Sequence, residues 1–103
     1  MNVLSIIIPV FNEIKTIEKI ILRIDSVKLY DFEKQIIVVD DFSSDGTREY
    51  LKELKSKRLD YPILFHNKNH GKGRAIKTGL KHAKGEYTII QDADLEYDPS
   101  NIP

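Results

Sequence analysis

Four short apolar runs rich in isoleucine and valine punctuate the chain, at Val3–Pro9, Gln35–Asp40, Pro62–His66 and Glu86–Gln91. Each is continuous rather than alternating, the pattern of strands covered on both faces, as in parallel sheets. The segments between them carry helical periodicity. Ile14, Ile17, Ile21 and Ile24 recur at helical spacing, with Glu18, Lys19 and Arg23 turned the other way. Leu51 and Leu54 follow Tyr50 in the charged stretch REYLKELKSK, which predicts a surface helix. Ile76, Leu80 and Ala83 mark a third helix, with Gly85 expected as its C-terminal cap.

The predicted order is therefore strand, helix, strand, helix, strand, helix, strand. Such alternation specifies an α/β fold, a Rossmann-like parallel sheet with right-handed crossovers. Sheets of this kind bind ligands in the crevice at the carboxyl ends of their strands. After the first strand comes PVFNE, after the second DDFSSDGT, after the third HNKNHGKG and after the fourth DADLEYDP. Polar and acidic groups gather at all four ends.

The last of these is the most acidic, with Asp92, Asp94, Glu96 and Asp98 at every second position. Residues two apart on an extended segment point the same way, so Asp92 and Asp94 are placed to converge. Like charges held close need a cation or a proton between them. Carboxylate oxygens suit hard ions such as Mg²⁺ or Mn²⁺, and such ions take substrate phosphates as further ligands. The plain alternative is a solvated acidic turn with one aspartate capping a helix. An EF-hand loop is excluded, because the sixth position from Asp92 is Tyr97 rather than glycine and the twelfth is Pro103 rather than glutamate.

The stretch NHGKGRAIKTG is no P-loop, since no glycine stands five places before a Gly-Lys-Ser/Thr. It comes nearer the dinucleotide fingerprint, with Gly71 and Gly73 opening a helix, but Ile76 occupies the place of the third glycine. Lys68, Lys72, Arg74 and Lys77 are available to meet phosphate or to remain solvated. Asp40 and Asp41 lie at a strand end, where a carboxylate can accept hydrogen bonds from a nucleobase or a ribose. Asn12 and Glu13 are able to do the same, or simply to start a helix. His66, His70 and His82 show no metal-site spacing and read as surface or loop residues.

Composition narrows the partners. The 103 residues suit one domain, and 16 Lys+Arg balance 16 Asp+Glu, so no global field points to nucleic acid or an anionic membrane. There are no cysteines, which removes disulfides and thiolate metal sites and fits a reducing compartment. The N-terminal VLSIIIPVF lacks a preceding basic region and is too short to span a bilayer. The expectation is a cytoplasmic protein, associated with a membrane only through an acceptor or a partner.

Taken together, IIIPVFNE, IIVVDDFSSDGT, NHGKGRAIKTGLKHAKGEY and DADLEYDP resemble the start of a family-2 glycosyltransferase of GT-A fold. The likeness is to the dolichyl- or polyprenyl-phosphate mannose or glucose synthase branch, and the motifs cover nearly all of the chain. The resemblance implies a nucleoside-diphosphate-sugar donor, an acceptor that includes polyprenyl phosphate or a glycan, and Mg²⁺ or Mn²⁺. It implies that Pro9, Val10, Phe11, Asn12 and Glu13 line the nucleotide pocket, with Phe11 in place of a frequent tyrosine. Asp41 would contact the base with Asp40 in support, and Gly71 and Lys72 would pass beside the nucleotide. Asp92, Ala93 and Asp94 would form the D-x-D segment holding ribose and diphosphate, with Asp92, Asp94 and Glu96 around the metal.

Family members of this type invert the anomeric centre with an acidic base that comes later in the chain. No such base, no acceptor half and no tryptophan of an arginine-tryptophan motif is evident in this sequence. The expectation is thus a single unit, residues 1–103, that forms the donor-binding half. It would act within a longer enzyme, pair with a second copy or partner chain, or stand alone as a non-catalytic nucleotide-binding remnant. A Rossmann-type dinucleotide protein is the third reading.

Overall fold

The computed structural model describes residues 2–58 and 60–93. Seven elements alternate: β1 (Asn2–Val10), α1 (Ile17–Ser26), β2 (Phe32–Asp40), α2 (Thr47–Lys57), β3 (Ile63–Phe65), α3 (Lys72–Leu80) and β4 (Tyr87–Ile90). All three strand pairings are parallel, and the sheet order is β3-β2-β1-β4. The order reverses beside β1: the chain walks outward through β2 and β3, then returns to add β4 on the other side. A crevice opens where successive connections leave in opposite directions, between the carboxyl ends of β1 and β4.

Side-chain alternation along β1 and β2 divides the core into two layers. Ile6, Ile8 and Val10 join Ile36 and Val38 on the face covered by α1 and α2, together with Ile17, Ile20, Ile21 and Leu51. Ile7, Ile37 and Val39 face α3, where Ala75 packs against them. Burying each α1 isoleucine contributes on the order of 1.5–3 kcal/mol, which is what holds a ten-residue helix of ordinary propensity in place. The end of α1 is closed by Lys34, whose Nζ donates to the carbonyls of Ile24 (2.8 Å) and Asp25 (2.7 Å).

Several expectations need correction. Helix α1 begins at Ile17, and Ile14 lies outside it and exposed, because Thr16 and Ile17 both donate to the Glu13 carbonyl in a turn. Strand β2 starts three residues before the apolar run, since Phe32, Glu33 and Lys34 pair with Asn2, Val3 and Leu4 whatever their side chains. Strands β3 and β4 are shorter than their apolar runs. Among the described residues, β4 borders the sheet and all four of its residues are exposed, whereas its apolar run predicts cover on both faces.

The third helix also presents a different face. Ile76 and Leu80 were the expected inward positions, yet the buried residues are Ala75 and Gly79. Small residues let the helix axis approach the sheet so closely that a Cβ on Gly79 would stand 2.6 Å from Ile7 Cγ2. Gly85 is no cap of α3, which ends five residues earlier. It lies against β1, where an added Cβ would meet the Val3 carbonyl oxygen at 2.6 Å. Among the described residues, no helix is long and apolar enough to cross a membrane.

Candidate functional site

A cleft of about 490 Å³ occupies the crevice that the topology creates. The end of β1 supplies Pro9, Val10, Phe11 and Glu13; the end of β2 supplies Asp41. The start of α3 adds Asn69, Gly71, Lys72 and Ala75 from a third side, and Asp92 and Ala93 beyond β4 close the fourth. Of the expected donor-binding residues, Asn12 and Asp40 are not part of this lining, and Asp94 falls outside the described residues, as does Glu96 of the expected metal set.

Asp41 is the best-anchored group in the cleft. Its side chain is 4% exposed, and its Oδ1 takes hydrogen bonds from His66 Nδ1 (2.8 Å) and the His70 amide (2.9 Å), while Oδ2 takes one from the Gly71 amide (2.8 Å). Burial alone would raise the pKa of this carboxyl, but those hydrogen bonds and the charge of His66 outweigh it and hold it below the ordinary 3.8. An ionised carboxylate only accepts, so His66 carries its proton on Nδ1. Its Nε2 then meets the Thr78 hydroxyl at 2.8 Å on α3. His66 is therefore no mere surface residue. It is half-buried and fixes the orientation of Asp41, a role that a search for metal-ligand spacing had no means to reveal.

Asp40 lies beneath the cleft, fully buried. Its Oδ2 accepts from the Ser43 amide (3.2 Å) and from Arg48 (3.1 Å), which also donates to the His66 carbonyl (2.9 Å). The Arg48 guanidinium sits over Phe65, 5.0 Å from the ring centroid, and 5.6 Å from that of Phe42. Phe42 has φ +67°, a left-handed conformation that a bulky side chain adopts only under constraint. Asn12, at φ +53°, tolerates the same region more readily, and its Oδ1 accepts from the Ser44 amide at 2.7 Å.

At the mouth, Lys72 Nζ pairs with Asp92 Oδ1, and both side chains are more than half exposed. A carboxylate that stands at the rim of a cleft and already recruits a cation suits a hard divalent ion. The described residues hold no group of three His, Asp or Glu able to enclose a metal by themselves. Asp92 fits as one ligand of such an ion, and the remaining expected ligands lie outside the described residues. Asn69 and Ala75 line the cleft as well. Asn69 lies two residues before Gly71 with nothing local to mark it, and Ala75 has no chemistry to signal it.

The sequence profile described as "Glycosyl transferase family 2" matches residues 5–103. The chain belongs to glycosyl transferase family 2. It is 40% identical over 101 residues to a dolichol-phosphate mannosyltransferase of Pyrococcus furiosus, covering 96% of this chain and 28% of the relative. It is 36% identical over 105 residues to an undecaprenyl-phosphate 4-deoxy-4-formamido-L-arabinose transferase of Proteus mirabilis, covering 100% and 32%. Among solved structures, the mannosyltransferase PcManGT from Pyrobaculum calidifontis, in complex with GDP-Man and Mn²⁺, superposes with TM-score 0.73 at 31% identity, over 88% of this chain and 27% of that one. S. aureus TarS in complex with UDP-GlcNAc gives TM-score 0.76 at 27% identity, over 91% and 27%. The expected GT-A fold is thus found, and the chain spans about a third or less of the curated relatives' length.

Proposed function

We propose that this member of the family binds a nucleoside-diphosphate sugar in the β1/β4 crevice and serves sugar transfer from that donor to an acceptor of the polyprenyl-phosphate kind. The observation that carries the reading is the cleft itself. It lies at the reversal of strand order and is lined by an aromatic ring (Phe11), a fixed anionic acceptor (Asp41) and a cation–carboxylate pair at its mouth (Lys72 and Asp92).

Each feature suits one part of such a donor. Phe11 offers a face on which a base stacks, as rings do for nucleobases. Asp41, already ionised and immobile, keeps one lone pair, on Oδ2, for a base or ribose donor without reorganising. Lys72 is positioned to give its charge to a diphosphate oxygen once Asp92 turns to a cation. Asp92, with Asp94 and Glu96, would hold Mg²⁺ or Mn²⁺, and a divalent ion there supplies stabilisation of the charge that develops on a departing diphosphate. In a PcManGT structure the bound donor and ion are GDP-Man and Mn²⁺, which supports a pairing of nucleotide sugar and metal in this fold. A cytoplasmic site, with access to a membrane only through the acceptor or a partner chain, accords with this chemistry.

Calorimetric titration with GDP-mannose and with UDP-N-acetylglucosamine, each with and without Mn²⁺, tests the reading. At least one donor is expected to bind, with binding that depends on Mn²⁺ and is strongly weakened in Asp94→Ala. Equal affinity with and without the ion would remove the metal assignment. Absence of binding by either donor, or by its free nucleoside diphosphate, would remove the donor-site reading.

A further inference from the structure

A second cleft, of about 240 Å³, lies on the far side of His66 from Asp41 and shares no lining residue with the first. Its walls are His66, His70, Arg74, Lys77, Thr78 and Lys81. Arg74, Lys77, Thr78 and Lys81 follow one another at helical spacing along α3 and its C-terminal cap, so they form one stripe. His66 and His70 face each other edge to face, with ring centroids 5.1 Å apart, at the end of the stripe.

The charge here is one-sided. Among the described residues no carboxylate lines the cleft, and none of Arg74, Lys77 and Lys81 has an ion-pair partner. The carboxylate bonded to His66, Asp41, is turned to His66 Nδ1 and to two backbone amides. Like charges three and four residues apart cost helix stability by a few tenths of a kcal/mol per pair, about as much as opposite charges would add. The local field is felt by exposed His70: some desolvation, then the nearby charges of Arg74, His66 and Lys68, hold its pKa below the ordinary 6.5, against an opposing pull from Asp41. In a chain whose acidic and basic residues balance, a concave wall of one sign concentrates counter-ions of the other.

We infer that this cleft is a second, phosphate-binding site, separate from the donor crevice, which takes a phosphate monoester or diphosphate group, free or as a lipid headgroup. Arg74 offers the planar fork that matches phosphate oxygens, and Lys77 and Lys81 supply point charges on either side of Thr78. His66 forms the wall between the two clefts, since its two nitrogens hold Asp41 on one side and Thr78 on the other. An anion held beside Thr78 and His66 is therefore one residue away from the group that anchors the donor crevice. The inference does not rest on the proposed donor, because the two sites have different linings.

The test is amide-resolved NMR titration of the chain with inorganic phosphate and with pyrophosphate, in EDTA so that no metal-dependent binding occurs at Asp92. Sedimentation with phosphatidylcholine vesicles, with and without phosphatidic acid, forms the second arm. Saturable shifts at His70, Arg74 and Thr78 are expected, at least tenfold weaker in affinity in Lys77→Glu/Lys81→Glu. Saturation by free phosphate without vesicle binding identifies a soluble ligand; variant-sensitive binding only to phosphatidic acid vesicles identifies a lipid headgroup. Either supports the site. Should the glutamate variant fail to fold, Lys77→Gln/Lys81→Gln replaces it, with the same expected direction. Shifts confined to Gly71, Lys72 and Asp92, shifts that rise without saturating when vesicles also fail to bind, or an affinity unchanged in the variant would overturn it.

Discussion

Replacing Asp41 by asparagine removes one charge and changes little in shape, and the structure sets the size of the consequence. Three donors, His66 Nδ1 and the amides of His70 and Gly71, converge on the carboxylate at 2.8 to 2.9 Å. Hydrogen bonds to a charged group contribute roughly 1.5–3 kcal/mol each, but they are not additive, and the asparagine oxygen retains at least one of them. The amide NH₂ meets a donor where an acceptor stood. A net loss of about 3 kcal/mol is expected, near the lower end of what breaking a buried charged pair costs and a large fraction of a small domain's stability. Urea unfolding of both proteins across a pH series measures it. Because folding lowers the Asp41 pKa below 3.8, its stabilising contribution is complete above that value and disappears as the pH falls through the native pKa. The gap between Asp41→Asn and the parent should therefore be constant from about pH 7 to pH 5 and close below that. A gap under about 1 kcal/mol, the net worth of an ordinary neutral hydrogen bond, or one that persists unchanged into acid would refute the reasoning.

Gly79→Ala places a methyl 2.6 Å from Ile7 Cγ2, so α3 must shift or Ile7 must leave its rotamer. The expected loss is roughly 1–3 kcal/mol by urea unfolding, and if the clash is the cause the double variant with Ile7→Ala, which removes Cγ2, loses less than the sum of the two single losses. Among the described residues, Asp92→Asn breaks only an exposed ion pair with Lys72, so stability should change by less than about 1 kcal/mol. Its Mn²⁺-dependent donor affinity, read by the same calorimetry, should fall at least tenfold. Leu51→Ala empties a fully buried position on α2 and should cost roughly 2–5 kcal/mol by the same unfolding measurement.

The sheet was legible because the information lies in local, periodic signals. Ile6, Ile7, Ile8 and Ile36 through Val39 fit strands buried on both sides, as found, and the loops after them carry their polar groups where a crevice needs them. What escaped is what depends on a distant partner. Nothing in YTII says that, among the described residues, it lies at the border of the sheet with Tyr87, Ile89 and Ile90 exposed. The inward face of α3 was misread because hydrophobicity favours Ile76 and Leu80, whereas the contact with Ile7 is decided by the smallness of Ala75 and Gly79. His66 escaped for the same reason: its meaning comes from Asp41, 25 residues away in sequence.

The polar residues at the strand ends also divide their labour in a way that composition conceals. Following the strand order β3-β2-β1-β4, each loop is tied to its neighbour by side-chain hydrogen bonds. Asp41 after β2 holds the amides of His70 and Gly71 from the β3–α3 connection. Ser43, Thr47 and Asp45 accept from the amides of Asn12, Glu13 and Ile14 after β1. Thr16 at the start of α1 donates to the Ala93 carbonyl beyond β4 at 2.7 Å. The lacing runs across the whole carboxyl edge of the sheet. Polar groups expected from the sequence as ligand contacts, Asn12 and Asp40 among them, also keep these loops at fixed spacing, which reduces the ordering that a ligand must impose when it enters. A crevice of this construction separates two duties, with the strand-end network setting the geometry and the rim pair of Lys72 and Asp92 left exposed to exchange partners. Substitutions in the lacing should therefore weaken stability and donor affinity together, whereas substitutions at the rim should change affinity alone.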